Sequence, residues 1–144
     1  MASDASTTAS KPTNAPDQAV TGGVVPYLTV SDAAGAAEFY KRAFAAGEVA
    51  RMPAQDGRRL MHCHLTINGG SVMLSDAFPE SGHELKAPQA FMLHVQVPDP
   101  QAWWDRAVAA GCEVSMPMQV MFWGDRYGHL KDPYGITWTI GGPA

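Results

Sequence analysis

Apolar positions along the chain alternate in short runs, then switch to helical spacing, and this sequence of signals is written twice. Residues 24–30 are rich in Val, Tyr, Thr and Leu and read as a strand, with Pro26 suited to an early or edge position. Ser31-Asp32 offers an N-cap, and residues 33–44 follow at helical spacing. Ala36, Phe39, Tyr40, Ala43 and Phe44 form the buried stripe, and Gly47 is read as the stop. Three short strands come next, over 49–53, 59–67 and 71–76, with turns at Asp56-Gly57 and Asn68-Gly69-Gly70.

The same order then recurs. A strand is predicted over 90–97, then an Asp99-Pro100 cap and a helix to residue 110 that buries Trp104, Ala107 and Val108 and ends at Gly111. Strands follow over 113–118, 127–131 and 136–140, the last two joined by Asp132-Pro133-Tyr134-Gly135, which has type I turn chemistry. A sheet with one helix leaves a face uncovered, so pairing two units is the natural remedy. The pattern predicts an α+β domain of two tandem βαβββ modules over residues 24–144. Module 1 spans about 24–78 and module 2 about 89–141. The connector over 79–88 is rich in Pro, Gly, Ser and charge. Residues 1–23 have no periodic apolar positions and are expected to form a disordered tail.

Composition narrows the class. Of 144 residues, 46% are hydrophobic and 17% charged, which is globular. The net charge of -4 comes without a basic cluster, so no nucleic-acid partner is expected. No run reaches the ~18 apolar residues of a membrane span, and no secretory signal pattern opens the chain. Cys63 and Cys112 are read as free thiols in a reducing cytoplasm.

Val30-Ser31-Asp32 with Phe39-Tyr40 resembles the opening of the vicinal oxygen chelate superfamily. That superfamily includes glyoxalase I, extradiol dioxygenases, fosfomycin-resistance enzymes and bleomycin-binding proteins. The run Phe122-Trp123-Gly124-Asp125-Arg126-Tyr127-Gly128 and the later Asp132-Pro133-Tyr134-Gly135 resemble the closing signature of its PhnB-like, glyoxalase/bleomycin-resistance branch. The resemblance spans about 24–141. It implies a curved, half-open mixed sheet around a pocket, in a homodimer. It also implies four metal ligands in the metal-dependent members, taken from the first and last strands of each module. Counted here, those positions are Val25, Met73, Met92 and Thr139. None is a ligand for Zn²⁺, Ni²⁺ or Fe²⁺, so no cofactor is expected, with a divalent metal as the alternative.

Alternation names the residues lining the pocket. Within 61–67 the odd positions are apolar and expected to meet the helices, leaving His62, His64 and Thr66 on the concave side. By the same rule Tyr27, Thr29, Met73, Ser75, His94, Gln96, Thr137 and Thr139 point inward. This is a mixed cavity suited to a small organic ligand. His62 and His64 could chelate a metal with His94 as a third ligand, or only satisfy local hydrogen bonds. His83 and His129 are read as surface residues. Trp123 could wall the ligand, Arg126 bind an anionic or carbonyl group, and Asp125 act as counter-ion or general base. Alternatively, an Asp125–Arg126 salt bridge only shapes a loop. Two functions stay open: a metal-independent binding protein holding its ligand between the modules, or a lyase, isomerase or dioxygenase using His62, His64 and His94. The candidate ligand contacts are Tyr27, His62, His64, Met73, Met92, His94, Trp123, Arg126 and Thr139, and the candidate catalytic groups are His62, His64 and Asp125.

Overall fold

The computed structural model describes residues 19–144. In module 1, β1 (Tyr27–Val30), α1 (Ala33–Phe44), β2 (Gly47–Pro53), β3 (Leu60–Ile67) and β4 (Gly70–Asp76) give a sheet in the order β1-β4-β3-β2. In module 2, β5 (Leu93–Gln96), α2 (Pro100–Ala110), β6 (Glu113–Val120), β7 (Asp125–Lys131) and β8 (Thr137–Pro143) repeat it as β5-β8-β7-β6. The first strand of each module runs parallel to its last, and the other pairs are antiparallel. The two sheets are separate, and α1 packs on α2.

Local chemistry places both helices where the sequence predicts them. The Asp32 carboxylate accepts from the Gly35 N–H at 3.0 Å, and that of Asp99 from the Ala102 N–H at 3.1 Å. The stop of α1 differs from expectation. Ala45 takes the left-handed conformation (φ 53°), and Gly47 is already the first residue of β2. Asn68 and Gly69 have φ of 50° and 83°, the two positive angles that a tight two-residue hairpin needs.

Strand ends moved more. β1 and β5 begin at Tyr27 and Leu93, later than predicted, while β6 runs on to Val120 and β8 to Pro143. Of the tail expected over 1–23, residues 1–18 lie outside the described residues. Thr21 already pairs with β4: its N–H donates to Ser71 Oγ at 2.8 Å, and its carbonyl accepts from the Ser71 N–H at 2.9 Å.

The core lies between helices and sheets and is shared by the modules. Leu28, Val30, Cys63, Leu65 and Leu74 are buried in module 1, and Leu130, Trp138 and Ile140 in module 2. Trp104 and Ala107 of α2 are buried as predicted, whereas Val108 is exposed. Phe44 of α1 stacks on Trp138 of β8 with centroids 4.3 Å apart. Beside them sits the buried Asp132. Its carboxylate accepts from the Tyr40 hydroxyl at 2.5 Å, Trp138 Nε1 at 2.9 Å and the backbone N–H groups of Tyr134 and Ile136. A second buried carboxylate, Asp76, accepts from the N–H groups of Ala33 and Leu60, tying α1 and β3 to the end of β4. Burial holds the Cys63 thiol up at about 11 and Cys112 at about 12, so both stay protonated and free.

Candidate functional site

A cavity of about 740 Å³ lies over the concave face of module 1. Tyr27, Met61 and Ser75 form its floor, the β2–β3 turn contributes Asp56 and Arg59, and the chain leaving β4 supplies Phe78 and, in the connector, His83. Met61 reaches it because β3 carries a bulge. Met52 pairs with His62 and Pro53 with Leu60, so Met61 is the extra residue. Leu60 is buried in its place and Met61 is 52% exposed, contrary to the predicted helix-facing role. The connector folds back as a wall. Phe78 and His83 form a β-bridge, and His83 Nε2 lies 2.9 Å from Thr29 Oγ1. His83, read as a surface residue from sequence, is exposed yet lines the cavity.

Arg59 joins the two rims. Its guanidinium meets Asp56 at 2.6 Å and Glu80 at 2.7 Å and lies 4.3 Å over the Phe78 ring. The backbone N–H groups of Arg59 and Arg58 and the Arg59 side chain hold the Asp56 carboxyl well below the usual carboxylate range.

Strand register puts Tyr27, Met73 and His64 side by side. Tyr27 Oη lies 2.9 Å from His62 Nδ1, so His62 backs the cavity floor. His64 is buried, with Nε2 2.7 Å from Ser71 Oγ. Burial, then the neighbouring His62, lowers its pKa from the ordinary 6.5. A depressed imidazole pKa contributes stability that is complete above the unfolded value and lost as pH falls through the folded one. Urea midpoints measured from about pH 7.5 to about pH 5 should therefore fall more steeply for the wild type than for His64→Gln. Parallel curves would assign the acid sensitivity to another group.

The concave side of module 2 carries the other candidates. His94 Nδ1 lies 2.6 Å from Thr139 Oγ1 and its Nε2 2.7 Å from Gln96 Oε1, and Gln96 Nε2 donates to Asp125 at 3.5 Å. Trp123, Tyr127 and His129 form an edge-to-face row, with ring centroids 5.7 and 5.2 Å apart. Arg126 does not join it. It shares its face of β7 with Gly128 and Leu130, the face α2 covers: a Cβ on Gly128 would come within 2.6 Å of Trp104. Among the described residues Asp125 and Arg126 form no salt bridge, because adjacent strand residues point to opposite faces. Met92 lines a smaller groove of about 320 Å³ between the modules, with Pro26, Asn68 and Trp138. Of the residues named from sequence as ligand contacts, Tyr27 alone lines the 740 Å³ cavity.

The donor set does not fit a divalent metal. Val25 and Met92 precede their strands, so the register partners of Met73 and Thr139 are Tyr27 and His94. That substitution brings one imidazole, and both of its nitrogens are engaged. Among the described residues no three His, Cys, Asp or Glu side chains converge.

Repeated βαβββ topology, two open four-stranded sheets and a cavity on a concave face define the class, and the comparisons agree. The model of the Glyoxalase/Bleomycin resistance protein/Dioxygenase superfamily matches residues 18–140, and the chain belongs to that family. It is 41% identical over 124 residues to the uncharacterized protein Rv0887c of Mycobacterium tuberculosis, covering 82% of this chain and 72% of that one. Protein PA1353 from Pseudomonas aeruginosa has a similar structure (TM-score 0.71, 22% identity, 85% and 98% of the chains). So does TioX from Micromonospora sp. ML1 (TM-score 0.69, 26% identity, 86% and 100%). The fosfomycin resistance protein FosX of Listeria monocytogenes, solved with Mn(II) and sulfate, shares the fold at 16% identity and TM-score 0.64, over 88% of this chain and 95% of that one. The fold alone therefore does not decide whether a metal is used. No helix among the described residues is long and apolar enough to cross a membrane.

Proposed function

We propose that the protein binds a small organic molecule over the concave face of module 1 without a divalent metal, as a cytoplasmic homodimer. The observation that carries this reading is the 740 Å³ cavity itself. Its floor joins the apolar Met61 to the hydroxyls of Tyr27 and Ser75, and none of Val25, Met73, Met92 and Thr139 lines it. A space of that size suits a ligand of several rings. Exposed Phe91, Phe122 and Trp123 support a second copy covering one of the open faces, and buried free thiols are in keeping with a reducing compartment.

The test is a thermal-shift panel of small aromatic compounds on protein stripped with a chelator. Ligand at about a hundredfold over its Kd should stabilise by about 2.7 kcal/mol, several degrees in Tm. Met61→Trp, which fills the floor, should abolish the shift. A shift that appears only with added Zn, Ni, Mn or Fe would overturn the metal-free reading. A monomer in sedimentation at micromolar concentration would remove the dimer.

A second reading, acid–base catalysis, is favoured by the Thr139–His94–Gln96–Asp125 hydrogen-bond chain. It requires turnover of a bound compound that His94→Gln eliminates while leaving binding intact.

A further inference from the structure

Resting on the reading that this cavity takes a small organic molecule, we propose that Arg59 is its carboxylate receptor. Glu80 of the connector stands in for the ligand on its guanidinium until an aromatic acid displaces it. The two carboxylates on Arg59 are held differently. Asp56 Oδ2 takes Arg59 Nε at 2.6 Å, and Asp56 Oδ1 is fixed by the backbone N–H groups of Arg58 and Arg59, both at 2.9 Å. Anchored at Nε by Asp56 and at Nη1 by the Ala77 carbonyl at 3.3 Å, the guanidinium presents the remaining N–H groups of its two terminal nitrogens as a fork.

That fork now holds Glu80, with Nη2 to Oε2 at 2.7 Å and Nη1 to Oε1 at 3.2 Å. Two parallel bonds to one carboxylate are the geometry by which arginine recognises an acid. Glu80 meets no other side chain among the described residues, and its own side chain is 56% exposed. It rides on a 3-10 turn, Pro79–Ser81, with no buried residue. Among the described residues the connector's other side-chain hydrogen bond to the sheet is His83 to Thr29. Exchanging Glu80 for a ligand carboxylate keeps the ion pair and both hydrogen bonds and gives up only an exposed pair, so the exchange costs little.

The surroundings specify the rest of the ligand. Phe78 lies beneath the guanidinium, and Met61 and Tyr27 face the same space. A ring attached to the carboxylate would rest on these apolar walls, and a positively charged group would gain no partner at the fork. The cavity is thus matched to aromatic carboxylates, and binding of the acid and release of Glu80 from Arg59 are one event.

Naphthoate and naphthamide share a ring system and differ in charge. Calorimetric titration of both into wild type, Glu80→Gln and Arg59→Lys separates the contributions, with circular dichroism checking that each variant is folded. Wild type should prefer naphthoate. Glu80→Gln should tighten naphthoate about threefold to tenfold, the worth of the removed competitor, and leave naphthamide unchanged. Arg59→Lys, which keeps the charge and loses the fork, should erase the preference. Naphthoate affinity unchanged or weakened in Glu80→Gln overturns the stand-in role. Naphthamide binding as tightly as naphthoate overturns the receptor role and leaves the small-molecule reading standing. Failure of both compounds with all three proteins overturns this inference too, and the small-molecule reading then rests on the metal-free panel alone.

Discussion

Asp132→Ala is expected to lower the unfolding free energy by about 4 kcal/mol, a large share of the ~5–15 kcal/mol available to a domain. The carboxylate is 4% exposed and accepts four hydrogen bonds, two from side chains and two from backbone. Alanine leaves the Tyr40 hydroxyl, Trp138 Nε1 and the N–H groups of Tyr134 and Ile136 without their acceptor, at ~1–3 kcal/mol for each that water cannot reach. Asp132→Asn should cost less, about 2 kcal/mol. It can keep one oxygen for the two backbone donors, and the Tyr40 hydroxyl can turn round to accept. Its amide would then face Trp138 Nε1, donor against donor. Urea unfolding measures both. The double variant with Trp138→Phe should be less than additive, because Phe removes one of the orphaned donors. A loss below about 1 kcal/mol for Asp132→Ala would mean that the α1–β8 tie between the modules is not made as described.

Asp132 also shows where sequence reading stops. Asp-Pro-Tyr-Gly announces a turn, and the turn is there: the Gly135 N–H donates to the Asp132 carbonyl at 3.1 Å. That the same aspartate is buried against a helix 92 positions away depends on how α1 crosses module 2, which no local pattern states. The helices and their Asp32 and Asp99 caps were legible because capping and 3.6-residue periodicity are local. The alternation that put Tyr27, His64 and Met73 on one face was legible for the same reason, and their register confirms it. It failed at Met61, since one bulged residue shifts the faces on one side of it.

The site was less legible than the fold. Arg59 and Glu80 are 21 positions apart and belong to no common motif, and only the fold of the connector brings them together. The connector's Pro, Gly, Ser and charge are those of a boundary, and composition does not say what a boundary covers. Period-two reasoning gives the face of each strand. It does not tell which faces share a cavity, and so Tyr27 and Thr139 were grouped although they lie on different sheets.

Gly142→Ala is the second large loss expected, about 3 kcal/mol or more. β8 ends beside the corner where β5 turns into α2, and the Val97 N–H donates to the Gly141 carbonyl there at 3.0 Å. A Cβ on Gly142 would land on the Val97 carbonyl oxygen and come within 3.1 Å of Pro100 Cδ. Neither neighbour can rotate away. One is backbone bonded into the corner, and the other is a ring at the first helical position, fixed by the Asp99 cap. Relief requires α2 to move, and α2 carries Trp104, which packs so closely on Gly128 that β7 must move with it. Gly141→Ala is the control. Its added methyl would meet His94 Cε1 at 3.0 Å and Tyr127 Cδ1 at 3.3 Å, with the Arg126 carbonyl also at 3.3 Å, so side-chain adjustment can absorb part of the strain. Urea unfolding of the pair should therefore show Gly142→Ala as the costlier. The reverse order, or a Gly142→Ala loss within about 0.5 kcal/mol, would mean that β8 does not pass the α2 corner so closely.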